Sequence, residues 1–76
     1  MMEVKTVNRD EKDKLRVLLG YWIKHNKEHG DEFREWAERT KSSGEAALHK
    51  ELIGAVEEID RVNASLARAL ESLDGG

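Results

Sequence analysis

Two histidines set four residues apart, His25 and His29, are the side chains of this sequence best suited to chemistry. On a helix, positions i and i+4 lie one above the other on the same face. Two imidazole nitrogens presented that way, completed by a carboxylate or by a symmetry-related pair, make the tetrahedral or octahedral set that Zn²⁺ or Ni²⁺ takes. Glu32, Glu58 and Asp60 are the carboxylates within reach of such a site, with Asn26 or Asn63 supplying an outer hydrogen bond. The alternative chemistry is plainer. His25, Asn26, His29 and Asn63 would form a buried hydrogen-bonded layer, free of metal, that fixes register and oligomeric state as a core asparagine does in coiled coils. Both readings require the two rings to face inward.

The run His25-Asn26-Lys27-Glu28-His29 also spells H-x-x-E-H, the inverted zincin pattern, in which Glu28 would be the base. That chemistry needs a third ligand far downstream and a large enclosed cleft, and Glu28 falls about 60° outside the apolar stripe of its helix. The match is read as coincidental. There is no β-hairpin to carry an HNH nuclease site, and no glycine-rich phosphate loop, serine elbow or paired-carboxylate arrangement. The sequence therefore points to a non-catalytic chain.

The elements that hold these residues are helices. Of 76 residues, 38% are charged and 38% hydrophobic, with no proline, which favours long surface-bearing helices and a single small domain. Asn8 with Glu11 has capping-box spacing and opens the first helix. Its apolar positions Leu15, Leu18, Leu19, Trp22, Phe33, Trp36 and Ala37 fall within about 120° of arc, and His25, Asn26 and His29 lie inside the same arc. Gly20 and Gly30 weaken this helix and leave a kink near Gly30 open, but the stripe keeps phase across that glycine, so one continuous helix is expected. Lys41-Ser42-Ser43-Gly44-Glu45 is the one strong interruption. Gly44 suits a left-handed helix end, while Ser42 and Glu45 spell a capping box for the helix that follows. The second stripe runs Leu48, Leu52, Ala55, Val56, Ile59, Val62, Leu66, Leu70 and Leu73, with Asn63 its one polar member. A turn near residue 43 sets His25 level with Val62 and Asn63, His29 with Glu58, and His49 with Glu38.

The expected architecture is an all-α antiparallel two-helix hairpin. Residues 1–9 form a loose arm, 10–73 the domain, with helices over about 10–42 and 45–73, and 74–76 fray. Leu18, Trp22, Phe33, Trp36, Leu52, Ile59 and Leu66 are its core and interface residues. A lone hairpin of this size seldom buries enough, and Tyr21, Ile23, Ile53 and Ala64 spill beyond the stripes. A homodimer forming a four-helix bundle is the economical answer. With 13 basic against 16 acidic side chains the net charge is −3, so no nucleic-acid partner is expected. Cysteine is absent, the residues up to Asp10 hold no apolar leader, and the longest largely apolar run, Val17–Ile23, is too short to span a bilayer. A cytoplasmic protein is expected, whose partner is itself, with a further protein partner open.

The segment Leu15–Trp36, with Leu-x-x-Leu-Leu, Trp-Ile-x-His-Asn-x-x-His and Phe-x-x-Trp-Ala, resembles a small prokaryotic helical-hairpin domain of unknown function, and the resemblance runs on to about Leu73. Some proteins carrying that domain are associated with nickel or cobalt transport. The resemblance implies that His25, Asn26 and His29 are the distinctive polar set and makes a transition-metal context more plausible. This sequence departs from such proteins in having no histidine-rich tract. The working expectation is a small accessory or binding module with a Ni or Zn site in a His/Asn layer; the competing one is a purely structural self-association module.

Overall fold

The computed structural model describes residues 8–75, and over these the chain is two helices, α1 (Arg9–Ser42) and α2 (Ala46–Gly75), packed antiparallel as a hairpin. The arm expected over 1–9 falls mostly outside the described residues; its last member, Arg9, already belongs to α1. Asn8 caps the helix as its spacing with Glu11 predicts. The Asn8 Oδ1 accepts from the Glu11 amide at 2.8 Å, and the Glu11 carboxylate accepts from the Asn8 amide at 3.3 Å. Asp10 and Glu11 set negative charge against the positive end of the helix.

Between the helices the sequence left two turn chemistries open, and the geometry selects one. Gly44 takes φ +81°, the left-handed position just past the end of α1. The Glu45 amide donates to the Thr40 carbonyl at 2.9 Å and the Gly44 amide to the Lys41 carbonyl at 3.1 Å, the paired bonds of a Schellman motif. Glu45 then accepts from the His49 amide at 2.9 Å and opens α2, so Ser42 closes the first helix rather than capping the second.

Neither Gly20 nor Gly30 interrupts α1. The facing residues follow alternating steps of three and four: Leu19, Ile23, Asn26, Gly30, Phe33 and Ala37 on α1, and His49, Leu52, Val56, Ile59, Asn63, Leu66, Leu70 and Leu73 on α2, each buried or half-buried. This is the 3.5-residue repeat of a coiled-coil seam. Gly30 is buried where the helices cross closely; a Cβ there would lie 3.5 Å from the Ile59 Cγ2. The register runs one residue off the sequence expectation, since Asn26 and not His25 meets Asn63.

The hydrophobic core is thin. Only Leu19, Ala37 and Val56 are buried among the described apolar residues. Phe33, Leu52, Ile59 and Leu66 line the seam half-buried. Leu18, Trp22 and Trp36, expected in the core or at an interface, are not core residues of the hairpin: they remain 43%, 38% and 55% exposed, because each sits one residue before a seam position and is turned about 100° away from α2. Ile23, read as spilling outside the stripe, occupies the seam.

Residues 74 and 75, expected to fray, are helical. The Arg16 Nε donates to the Asp74 carboxylate at 2.6 Å and Nη1 to Asp13 at 2.9 Å, tying the last turn of α2 to α1. Those two carboxylates, Asp74 foremost, raise the Arg16 pKa above its usual value. The hairpin measures 53 × 27 × 16 Å. Among the described residues, no helix is long and apolar enough to cross a membrane.

Candidate functional site

Midway along the hairpin the seam turns polar. The Asn26 Nδ2 donates to the Asn63 Oδ1 at 3.0 Å, and the Asn63 Nδ2 donates to the Ile23 carbonyl at 3.1 Å. Asn63 thus reads one side chain and one backbone group of α1 at a single level. A slip of the helices would break both bonds at once, which is how a polar seam residue fixes alignment.

The two imidazoles stand outside this layer. His25 precedes Asn26 and His29 precedes Gly30, so each ring is turned about 100° from the seam onto its flank. His25 is exposed, and the His29 side chain retains 45% of its surface. The inward-facing rings that the stripe implied are therefore not what α1 presents; the His positions share the arc of the apolar residues only because that arc spans both seam and flank.

On the flank the rings engage one another. The His25 and His29 Nε2 atoms are 3.0 Å apart, with ring centres at 4.4 Å and planes at 87°. His29 Nδ1 lies 3.2 Å from the Glu32 carboxylate. A carboxylate only accepts, so His29 Nδ1 donates in this contact; in the neutral His29 ring Nε2 then presents a lone pair, to which the His25 Nε2–H can donate. Tyr21 stacks on His25 at 5.5 Å and Phe33 on His29 at 6.2 Å, giving a ring ladder Tyr21–His25–His29–Phe33 at four-residue steps. Tyr21 has no place in the apolar stripe, yet its i, i+4 spacing from His25 was readable.

Of the carboxylates proposed as ligands, Glu32 contacts His29 but on Nδ1, the side of the ring away from His25. Glu58 is exposed and makes no hydrogen bond or ion pair with either histidine among the described residues. Among these residues no group of three or more His, Cys, Asp or Glu is placed to hold a metal ion. His49, expected level with Glu38, is held near the turn. Its Nδ1 donates to the Ala37 carbonyl at 2.7 Å, a carbonyl that also accepts from Thr40 Oγ1 at 2.8 Å.

The domain of unknown function DUF8180 matches the chain over residues 15–73, from Leu15 in the second turn of α1 to Leu73, the last seam leucine of α2. The chain belongs to this family. The DUF8180 span takes in most of both helices, the Asn26–Asn63 layer and the His25–His29 pair, and leaves out the first turns of α1 with the Asn8 cap. No curated protein and no solved structure matches.

Proposed function

We propose that this hairpin is a small non-catalytic association module that pairs with a second copy of itself into a four-helix bundle. One observation carries the reading: the hairpin has two unlike faces. Residues just before the seam positions make one face. On α1 these are Leu18, Trp22, His25, His29, Glu32 and Trp36; on α2 they are Leu48, Glu51, Ala55, Glu58, Val62, Ser65, Ala69 and Ser72, so large apolar groups dominate toward the ends of this face and polar ones sit between them. Because the helices run in opposite directions, the two preceding flanks fall on the same side of the hairpin. Leu18, Trp22, Trp36, Leu48 and Val62 are all exposed there. The opposite flank has no large aromatic: after the α1 seam positions come Gly20, Lys24, Lys27, Asp31, Arg34 and Glu38, and after the α2 positions a mixture that includes Lys50, Ile53, Glu57, Asp60, Ala64 and Ala67. Two exposed tryptophans and three exposed aliphatic residues on one side, beside a core of three buried apolar residues among those described, mark a surface that another molecule covers. A second copy fits because it brings the same apolar face in an isologous pairing and supplies the missing core.

Light scattering on a sizing column is the test. The full chain should run as a dimer at micromolar concentration, and Trp36→Glu combined with Leu48→Glu should yield monomer. A well-folded monomer from the unaltered chain sinks the proposal.

A second reading, in which the module carries Ni or Zn, is favoured by the close approach of the two Nε2 atoms. The resemblance of Trp22–Trp36 to metal-transport-associated domains leans the same way.

A further inference from the structure

We infer that His25 and His29 are one half of a zinc site that two copies of the chain complete, each contributing both Nε2 atoms to a single tetrahedral ion. The inference rests on the self-pairing reading and on the metal reading together, and adds where the ion sits and what makes its shell.

The position follows from the shape of the apolar face. On α1 it extends from Leu18 to Trp36, and His25 and His29 straddle its middle. A two-fold axis that pairs this face with itself and crosses α1 at the level of these two rings sets α1 against its symmetry mate. Four imidazole nitrogens then meet at one point. The same placement accounts for the lack of a three-ligand group in the single chain over the described residues: one chain holds half a shell.

The local geometry suits the ion. Two nitrogens bound at about 2.0–2.1 Å to a tetrahedral zinc are about 3.3 Å apart. The observed 3.0 Å needs only a slight opening of the pair. The ring centres at 4.4 Å with planes at 87° show an edge-on approach rather than a head-on one, so both Nε2 atoms lie off the line between the rings. Glu32 acts as a positioning residue: by accepting from His29 Nδ1 it holds the tautomer whose Nε2 lone pair is free. In the metal-free chain His25 fills the gap with its Nε2 proton. Metal binding requires that proton to leave Nε2 and another to be taken up from water at Nδ1, so the neutral ring changes tautomer with no net proton release.

The test is titration of the full, untagged chain with zinc sulfate, followed by calorimetry, light scattering and nitrogen-detected NMR of the imidazoles. Saturation is expected at one ion per two chains. Zinc should drive dilute chain from monomer to dimer, and His25 should move from Nε2–H to Nδ1–H while His29 keeps Nδ1–H. His25→Ala and His29→Ala should each abolish saturable uptake while leaving the helical circular dichroism intact. Glu32→Ala should weaken binding about ten-fold, with Glu32→Gln restoring it because the amide oxygen still accepts. Saturation at one ion per chain overturns the shared site. A stable dimer with no zinc uptake overturns the metal inference and leaves the self-pairing reading standing, whereas a monomer throughout the titration overturns both. Unchanged affinity in Glu32→Ala removes the positioning role of that residue alone.

Discussion

Replacing Asn63 by alanine isolates the device that sets the register of the hairpin. Asn63 makes two part-buried hydrogen bonds across the seam, to Asn26 at 3.0 Å and to the Ile23 carbonyl at 3.1 Å. Each such bond contributes about 1 kcal/mol net, and alanine returns about 0.5 kcal/mol through its better helix propensity. The expected loss is therefore about 1.5 kcal/mol, which in a domain of this size lowers the melting midpoint by about 6–12 °C. Asn26→Ala removes only the shared bond and should cost about 0.5 kcal/mol once propensity is counted. The double variant should fall short of the sum by about 0.5–1 kcal/mol, since one bond is lost in both singles. Thermal unfolding by circular dichroism at one fixed protein concentration measures all four chains, the fixed concentration being essential if unfolding is coupled to association. A midpoint for Asn63→Ala within about 2 °C of the unaltered chain, or strict additivity of the pair, would refute the argument. Leucine at both positions makes the complementary case: the midpoint should rise, because both polar groups leave together, while the unique alignment is lost.

Three further changes test separate elements. Gly30→Ala should stabilise α1 by up to about 1 kcal/mol, because its methyl would meet Ile59 at an ordinary contact distance of 3.5 Å; a lower midpoint would mean the crossing is tighter than it looks. Gly44→Ala puts a side chain at φ +81° and should cost about 1–2 kcal/mol, read as a fall in midpoint; an unchanged midpoint would show that the turn can be rebuilt. Asp74→Ala cuts the tie to Arg16, so amide exchange over Leu70–Leu73 should accelerate with little change in midpoint, and unaltered exchange there would count against that tie.

The hairpin itself was readable because its signals are local and independent. The Asn8–Glu11 spacing, the lone strong break at Gly44 and two long apolar repeats all agree. The face of α1 that meets α2 was not readable from an apolar wheel. Leu18, Trp22 and Trp36 are larger and more hydrophobic than the residues beside them, so a scan for apolar side chains centres on the flank. The seam, however, uses Gly30 and Asn26, which such a scan scores as absent, and Ile23, which it places at the margin. Steps of three and four, rather than a uniform 100°, separate the two stripes. That distinction moves His25 and His29 from an interior to a surface, while Asn26 and Asn63 stay within. Which carboxylate approaches His29 was open between Glu32 and Glu58, and spacing along one helix decided in favour of the nearer residue.

At 16 Å across its short dimension the molecule is a slab a single layer of helices deep. Such an object has two sides and a rim but almost no inside, so a small molecule or ion cannot be shut away from water by this chain alone. A ligand on either side would be covered only by a second body laid over the slab.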